Sequence, residues 1–302
     1  MSLPPPPPPA SSSADTGVAC YRHPDREAGR RCTRCGKPAC GECLVQAAVG
    51  SHCLECAKAA RPDVRTRARL WNARQPAIVT TTIMALNVLV FVYVTLRAPV
   101  ALAGRQITIG HAELGLTRAA LGDGFAARLA NGTIYVSDGG EWWRLVTSGF
   151  LHFGIIHIGF NMYLLYMLGQ MLEPAIGRLR FALVYVAALL GGSAGSLALN
   201  EGLAGGASGA VFGLMGLAVV GYWLHGANPL STSIGSLLML NLFVTFFFPG
   251  ISIGGHLGGA AAGAICGFAV MAPRWKAVPA WATYAVPSAV AVAAVAIAVV
   301  VV

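Results

Sequence analysis

The amino-acid sequence predicts an all-α polytopic membrane protein with a small cysteine-rich module ahead of its membrane-spanning part. Of its 302 residues, 56% are hydrophobic and 11% are charged, whereas soluble domains hold roughly 25% charged residues. The mean hydropathy of +0.64 agrees with residence in a bilayer. Seven of the eight cysteines lie between residues 20 and 56, which sets this segment apart from the apolar remainder of the chain.

Residues 1–17 are rich in proline and serine. They cannot bury enough apolar surface to fold, so we expect a disordered tail with polyproline character. The chain does not open with the basic region and apolar core of a signal peptide, which predicts a cytoplasmic N-terminus.

Residues 18–58 contain four pairs of metal-ligand residues, and two residues separate the members of each pair. The pairs are Cys20 with His23, Cys32 with Cys35, Cys40 with Cys43, and Cys53 with Cys56. This spacing lets one tight turn aim two donors at one ion, and four pairs make two tetrahedral sites. We expect two structural zinc ions, which would supply most of the folding free energy of so short a segment.

The order of these pairs resembles the B-box and related cross-braced zinc fingers, in which alternate pairs share an ion. The resemblance implies two ligand sets, namely Cys20, His23, Cys40 and Cys43, and Cys32, Cys35, Cys53 and Cys56. His52 is a spare candidate ligand. A disulfide framework is the alternative, but a cytoplasmic segment is in a reducing compartment. Four protein ligands leave no open position for water, so the expected role is regulation or binding of a protein partner.

Residues 59–76 form a basic linker just before the first long apolar stretch. Its arginines are Arg61, Arg65, Arg67, Arg69 and Arg74. This position predicts a cytoplasmic juxtamembrane segment that is attracted to anionic lipid. The formal net charge of +9 also suggests nucleic acid, but the linker accounts for the basic cluster and no nucleic-acid binding is expected.

Seven apolar stretches are long enough to cross a bilayer core about 30 Å thick. They cover about residues 77–96, 151–171, 181–199, 208–225, 231–248, 253–271 and 281–301. Basic residues place the loops at Arg178 and Arg274 on the cytoplasmic side. The protein is therefore expected in a plasma or inner membrane, with the N-terminal ends of the second and fourth spans at the external face. The long loop 97–142 is expected to pack at the membrane surface.

Two polar residues in these spans suggest hydrolytic chemistry. Ser208 lies in the sequence Gly-Ala-Ser-Gly at the start of the fourth span, and His256 lies in the sixth span. A GxSG match is weak evidence in a chain with 37 glycines, but a histidine inside a membrane is costly without a role. Small residues on both spans would allow the close approach that a Ser-His hydrogen bond requires. They are Gly209 and Gly213 on the fourth span and Gly259 and Gly263 on the sixth.

The second span adds His157 and Asn161, which lie four residues apart and so share one helical face. Acyl transfer needs hydrogen-bond donors aimed at the developing oxyanion. The side chains of His157 and Asn161, together with the Ser208 backbone N–H, are candidate donors. A purely structural hydrogen bond is the alternative for the two side chains.

The polar and glycine residues of the second, fourth and sixth spans, taken in chain order, resemble the pattern of the rhomboid intramembrane serine proteases. The resemblance covers about residues 77–271. The matching positions are His152, His157 and Asn161, then Gly206, Ser208 and Gly209, then His256, Gly259 and Gly263, together with Trp143-Arg144 in the first loop and the aromatic Phe212 after the serine. The resemblance implies a six-helix core at 77–271, followed by a linker and seventh helix at 272–302.

The resemblance also implies a Ser208–His256 dyad without a third acid, oxyanion donors at His157 and Asn161, and a Phe212 ring stacked on His256. Independently, no Asp or Glu follows Glu201, so later residues must work without a carboxylate. The expected reaction is hydrolysis of peptide bonds in or beside transmembrane segments of single-span or polytopic substrates, with no catalytic cofactor.

Two other function classes use polar residues within membrane helices or a zinc module. A transporter or channel would want a pathway of ionisable residues, and the later spans contain no Asp or Glu. A non-catalytic membrane adaptor built around the zinc module remains open. Metal-dependent and aspartyl intramembrane proteases are disfavoured because the sequence has no HExxH and no pair of intramembrane aspartates.

Overall fold

The computed structural model describes residues 17–47, 49–60, 76–104, 106–199, 202–248, 250–273, 275 and 277–302. The chain divides into two compact units, Met1–Leu70 and Trp71–Val302. Nearly all of the predicted tail and the five linker arginines lie outside the described residues, as do Glu201, Arg274 and Lys276.

The N-terminal unit consists of two small antiparallel hairpins and a short helix. Strand β1 (Arg30–Arg31) pairs with β2 (Pro38–Ala39), β3 (Leu44–Gln46) pairs with β4 (Ser51–Cys53), and α1 (Leu54–Ala59) follows. The small core contains Cys20, Ala39, Cys40 and Cys43. Three of these four side chains are candidate metal ligands, so apolar burial contributes little to the stability of this unit.

The second unit is mainly helical. Its helices are α2 (Ile78–Arg97), α3 (Ile109–Leu114), α4 (Arg118–Leu121), α5 (Arg144–Thr147), α6 (Ile155–Ile176), α7 (Arg178–Leu199), α8 (Ser208–Leu224), α9 (Ser233–Phe247), α10 (Ile253–Val270) and α11 (Ala282–Val301). Strands β5 (Phe125–Arg128) and β6 (Ile134–Ser137) form an antiparallel hairpin in the first loop.

Five of the helices are long and apolar enough to cross a membrane, namely α2, α6, α7, α10 and α11. Helices α8 and α9 are equally apolar but have 17 and 15 residues. These seven helices correspond to the seven predicted stretches. The predicted fold class, a polytopic helical membrane protein with a small N-terminal module, is confirmed.

The predicted start of the second span is wrong by four residues. Helix α6 begins at Ile155, and Gly154 before it has a φ of +91°. This left-handed conformation suits glycine and interrupts the helix. His152 therefore lies in the extended segment before α6 and not on its helical face.

The first loop is organised around Arg144, whose side chain is completely buried. Its guanidinium donates hydrogen bonds to the Ala112 and Gly115 carbonyl oxygens, each at 2.6 Å, and pairs with Glu141. A buried arginine needs such partners because an uncompensated charge is costly to bury. These bonds fix α5, which leads into the site, against the segment containing α3.

Another buried carboxylate joins the ends of two helices. Glu173, near the end of α6, accepts hydrogen bonds from the Val79 and Thr80 backbone N–H groups at 3.0 and 2.8 Å. It also accepts one from the Thr80 hydroxyl at 2.7 Å. The first turn of a helix has unpaired N–H groups and a partial positive charge, so Glu173 caps α2.

The centre of the unit is built from α7, α8 and α10, which approach one another through glycines. A Cβ on Gly263 would overlap the Gly213 carbonyl, and one on Gly259 would overlap the Gly209 carbonyl. On the other side of α10, a Cβ on Gly258 would overlap the Gly191 carbonyl. Only residues without side chains permit such contacts, and they bring the starts of α8 and α10 together.

Candidate active site

Ser208 and His256 face each other across the interface between α8 and α10. Ser208 is the first residue of α8, and His256 lies in the first turn of α10 and is 8% exposed. The distance from Ser208 Oγ to His256 Nε2 is 2.7 Å, which is a hydrogen bond. A hydroxyl in this position is within proton-transfer range of an imidazole.

The imidazole of His256 is held on one face by an aromatic ring. The ring centroids of Phe212 and His256 are 4.1 Å apart and the planes meet at 17°. Phe212 lies one helical turn after Ser208, so α8 supplies both the hydroxyl and the ring. The stacking restricts rotation of the imidazole while leaving its edge free for hydrogen bonds.

An open space lies between His157 and Ser208 because Gly206 has no side chain. A Cβ on Gly206 would lie 2.9 Å from His157 Nε2 and 3.6 Å from Ser208 Oγ. Gly206 also has a φ of +137°, which disfavours other residues. The Phe153 N–H donates to His157 Nδ1 at 3.3 Å, so in the neutral ring the proton is on Nε2, facing this space.

Asn161 lies one turn further along α6 and is 4% exposed. Its amide Nδ2 donates to the His157 carbonyl oxygen at 3.0 Å. This bond uses one of the two amide hydrogens. Asn161 therefore makes a structural hydrogen bond, which was the alternative to an oxyanion role. Its second amide hydrogen remains available for a ligand.

His152 fixes the segment that precedes Ser208. It is 1% exposed, and its Nε2 accepts a 3.4 Å hydrogen bond from the Ala207 N–H. Its Nδ1 donates to the Phe150 carbonyl at 3.3 Å, which is consistent with one neutral tautomer. His152 therefore contacts the backbone beside the candidate nucleophile and not Ser208 itself.

Thr245 contacts the other nitrogen of His256, and the sequence analysis did not identify it. Its Oγ1 lies 2.7 Å from His256 Nδ1, and its side chain is 2% exposed. The available signal was one hydroxyl residue among the phenylalanines at the end of α9. Threonine is common in membrane helices because it can bond its own backbone, so the sequence alone did not distinguish it.

The Ser208–His256 pair borders a pocket between α7, α8 and α10. Polar residues of its lining include Ser148, Ser193, Ser196 and Ser252, beside the glycines that precede and follow Ser208. Ser252 donates to the Ser196 hydroxyl at 3.1 Å. The pocket can therefore hold a polar group or water next to Ser208.

The N-terminal unit contains two clusters that could hold metal ions. Within each cluster the four ligand atoms lie within 4.8 Å of one another. The clusters are Cys20, His23, Cys40 and Cys43, and Cys32, Cys35, Cys53 and Cys56. This is the alternate pairing that the B-box resemblance implies. His52 belongs to neither cluster, and the eight cysteines form no disulfide with one another.

The distances within the clusters suit a tetrahedral ion. Cys35 Sγ and Cys53 Sγ are 3.7 Å apart, and His23 Nδ1 is 3.4 Å from Cys43 Sγ. Four sulfur ligands at about 2.3 Å from zinc lie about 3.8 Å from one another. The donor set and its spacing therefore fit a closed structural site.

The thiols of these clusters differ in how readily they ionise. Burial opposes ionisation of Cys20 and Cys32, but nearby backbone N–H groups lower the pKa of both thiols to about 6. Burial and the neighbouring cysteines raise the pKa of Cys43 to about 11. Only thiolates bind metal, and a positive ion is what allows crowded thiols to ionise together.

The sequence matches proteins of one family. Residues 139–273 match the family model of the Rhomboid domain. Rhomboid protease GluP of Bacillus subtilis is 36% identical over 139 residues, which cover 45% of this chain and 27% of that protein. RHOMBOID-like protein 4 of Arabidopsis thaliana is 33% identical over 141 residues, covering 45% of this chain and 36% of that protein.

A third relative is matched over more of its own length. The candidate rhomboid protease YdcA of Bacillus subtilis is 33% identical over 136 residues, covering 43% of this chain and 67% of that protein. The chain spans well under half of the length of the other two relatives. The family model covers the segment that contains Ser208, His256, His157 and Asn161.

Proposed function

Because this chain belongs to the rhomboid family, we propose that it is an intramembrane serine endopeptidase that cleaves membrane proteins in or near their transmembrane segments. The observation that carries the proposal is the 2.7 Å hydrogen bond between Ser208 Oγ and His256 Nε2. Such a pair can generate a nucleophile without a metal or an organic cofactor.

In the proposed reaction Ser208 attacks the scissile carbonyl while His256 accepts the hydroxyl proton. His256 then returns that proton to the leaving amine, and an acyl-enzyme forms on Ser208. Water from the polar pocket attacks the ester, again with His256 as base, and releases the second product. A substrate helix must unwind locally to present its carbonyl, because helical hydrogen bonds and side chains cover it.

Charge on the tetrahedral oxyanion would be stabilised in the space that Gly206 leaves open. His157 Nε2–H faces that space, and the Ser208 backbone N–H begins α8, where the helix dipole is positive. Asn161 would contribute its second amide hydrogen. His152 and Phe212 act indirectly, since one holds the backbone before Ser208 and the other holds the imidazole.

The length of α8 supports cleavage within the membrane. Its 17 residues rise about 26 Å, less than a hydrocarbon core of about 30 Å. If the C-terminal end of α8 is at one interface, its length would place Ser208 below the other interface. The charge distribution in the sequence supports a cytoplasmic N-terminus and a site that opens to the external face of a plasma or inner membrane.

For the N-terminal unit we propose two structural zinc ions, held by the two four-residue clusters. Four protein ligands per ion give a closed site, so this zinc has no part in hydrolysis. The role we propose for the folded unit is to bind a protein partner or to regulate the enzyme. The domain limits proposed from sequence are 18–58 for this module, 77–271 for the protease core, and 272–302 for the linker and seventh helix.

Purified protein in lipid with a single-span reporter tests the function. Wild type should cleave the reporter and react with a fluorophosphonate, and Ser208→Ala should do neither. Ser288→Ala is the matched control, because the Ser288 hydroxyl only donates to the Tyr284 carbonyl of its own helix. Equal cleavage by wild type and Ser208→Ala would refute the nucleophile. A wild type inert in both assays would favour a non-catalytic membrane adaptor.

A further inference from the structure

The nitrogen of His256 that faces away from Ser208 has a partner from another helix. Thr245, in the last turn of α9, lies 11 residues before His256 in the chain. Its Oγ1 is 2.7 Å from His256 Nδ1. Both side chains are buried, at 2% and 8% exposure, so water does not readily replace this contact. The imidazole is thus held by Ser208 at one nitrogen, Thr245 at the other, and Phe212 on a face.

The direction of this hydrogen bond follows from a count of hydrogens. A threonine hydroxyl has one hydrogen to donate and two lone pairs. Thr245 Oγ1 donates its hydrogen to the Asn241 carbonyl oxygen, 2.7 Å away and one turn back in α9. With that hydrogen on the Asn241 carbonyl, the oxygen accepts from His256 Nδ1, and this arrangement places the ring proton on Nδ1.

This direction determines which nitrogen can act as the base. In a neutral imidazole with its proton on Nδ1, Nε2 has a free lone pair. Nε2 is the atom 2.7 Å from Ser208 Oγ. The opposite tautomer would leave the Asn241 carbonyl without the hydroxyl bond and would put a proton on the atom that has to receive one.

We propose that Thr245 is a positioning residue that holds His256 in the tautomer able to accept the Ser208 proton. The proposal rests on the proposed function, and it adds to the dyad a neutral hydroxyl in the place where other serine hydrolases use a carboxylate. When Nε2 takes the proton, His256 becomes an imidazolium and Nδ1–H still donates to Thr245. The hydroxyl and the Asn241 carbonyl are then aligned with their negative ends toward the new charge, which stabilises it.

The way α9 packs agrees with this role. Its buried residues are Ile234, Gly235, Asn241 and Thr245, whereas the phenylalanines around Thr245 are more than half exposed. The bond to the Asn241 carbonyl alone would satisfy a threonine hydroxyl, but this buried hydroxyl also lies 2.7 Å from His256 Nδ1. It completes a chain that runs from the Asn241 carbonyl through Thr245 and His256 to Ser208.

The test compares Thr245→Val, which keeps the shape and removes the hydroxyl, with Thr245→Ser, which keeps the hydroxyl. Thr81→Val is the matched control, because the Thr81 hydroxyl also bonds the carbonyl four residues back, on the exposed side of α2. The full-length protein in lipid is assayed for the rate of fluorophosphonate labelling and for kcat and KM on a single-span reporter. Thermal unfolding verifies that each variant folds.

Thr245→Val should lower the labelling rate and kcat about 10- to 100-fold. The variant leaves His256 Nδ1–H without an acceptor, and the free-energy cost of such a buried unsatisfied donor corresponds to about that ratio. KM should stay unchanged in Thr245→Val. The labelling rate and kcat of Thr245→Ser should remain within about threefold of the wild-type values, and those of Thr81→Val should equal the wild-type values. A Thr245→Val enzyme that labels at the wild-type rate would overturn the proposal. So would a folded Thr245→Ser enzyme as slow as Thr245→Val, since the hydroxyl would then be irrelevant.

A measurement on the unmodified side chains keeps the test independent of variant folding. In protein labelled with 15N-histidine, with the His256 signals assigned by their loss in His256→Gln, Nδ1 should be protonated and Nε2 bare. The reverse tautomer would overturn the proposal even if the enzyme is active. If wild type neither labels nor cleaves, the proposed protease function fails, while the tautomer still reports whether Thr245 accepts from Nδ1.

Discussion

The two units of this protein bring distant side chains together by different physical means. In the N-terminal unit, four short segments each carry two candidate ligands, and two ions would draw these segments together. In the membrane unit (Trp71–Val302), the side chains around Ser208 are positioned by helices that contact one another directly through the backbones of glycines. As we propose, the first unit depends on bound ions, whereas the second depends on glycines that lack side chains.

The largest expected effect is the loss of the N-terminal fold when its ions are removed. Metal analysis of the full-length protein should find close to two zinc ions per chain, and a chelator should make residues 18–58 sensitive to protease. Structural zinc contributes about 10 to 16 kcal/mol to the folding of such segments. The membrane unit should resist protease equally with and without the chelator.

Cysteine variants make the same point without a chelator. Cys43→Ser removes one ligand from the first cluster and should lower the zinc content to about one ion per chain. Cys266→Ala is the control, because Cys266 is buried in α10, outside both clusters. A Cys43→Ser protein that still holds two ions, or a metal-free protein whose first unit stays folded, would contradict this picture.

This difference explains what could be predicted from the sequence. The eight candidate ligands could be selected from the sequence because the two members of each pair are separated by only two residues, so the pattern is visible without knowledge of the rest of the chain. The seven apolar helices could be predicted because the length of an apolar stretch is also visible locally. His152 was placed inside the second span because the start of helix α6 depends on the φ of +91° at Gly154, which an apolar stretch of sequence does not reveal. Thr245 was missed because its partner lies on another helix.

The next largest effect concerns the glycine contacts. Gly263→Ala places a methyl group against the Gly213 carbonyl, so α8 and α10 must move apart. Overpacking of this kind costs about 1 to 3 kcal/mol, and the unfolding temperature and the labelling rate of Ser208 should both fall. Gly159→Ala in α6 is the control, because a Cβ there meets nothing within 4 Å. Equal unfolding temperatures for Gly263→Ala and Gly159→Ala would show that the close contact is not needed.

Substitutions of the buried Glu173 test whether the stability of the membrane unit depends on hydrogen bonds as well as on close helix packing. Glu173→Ala leaves three donors at the start of α2 without their acceptor and should lower the free energy of unfolding by about 1 to 3 kcal/mol. Glu173→Gln retains one acceptor oxygen and should lower the free energy of unfolding by less than Glu173→Ala does. Glu113→Ala removes a half-exposed partner of Arg97, and should cost under about 1 kcal/mol. The idea fails if Glu173→Ala is no less stable than Glu113→Ala.

The smallest expected effect distinguishes ring stacking on His256 from the hydrogen bonds that His256 makes. Phe212→Leu keeps an apolar side chain beside His256 but removes the stacked ring, which lies 4.1 Å from the imidazole. Such ring pairs contribute about 0.5 to 1.5 kcal/mol, so the labelling rate of Ser208 should fall about two- to tenfold. Phe268→Leu, at a half-exposed ring further along α10, should leave the rate unchanged. A wild-type rate in Phe212→Leu would mean that the hydrogen bonds to Ser208 and Thr245 orient the imidazole unaided, and that packing around the site only brings its helices together.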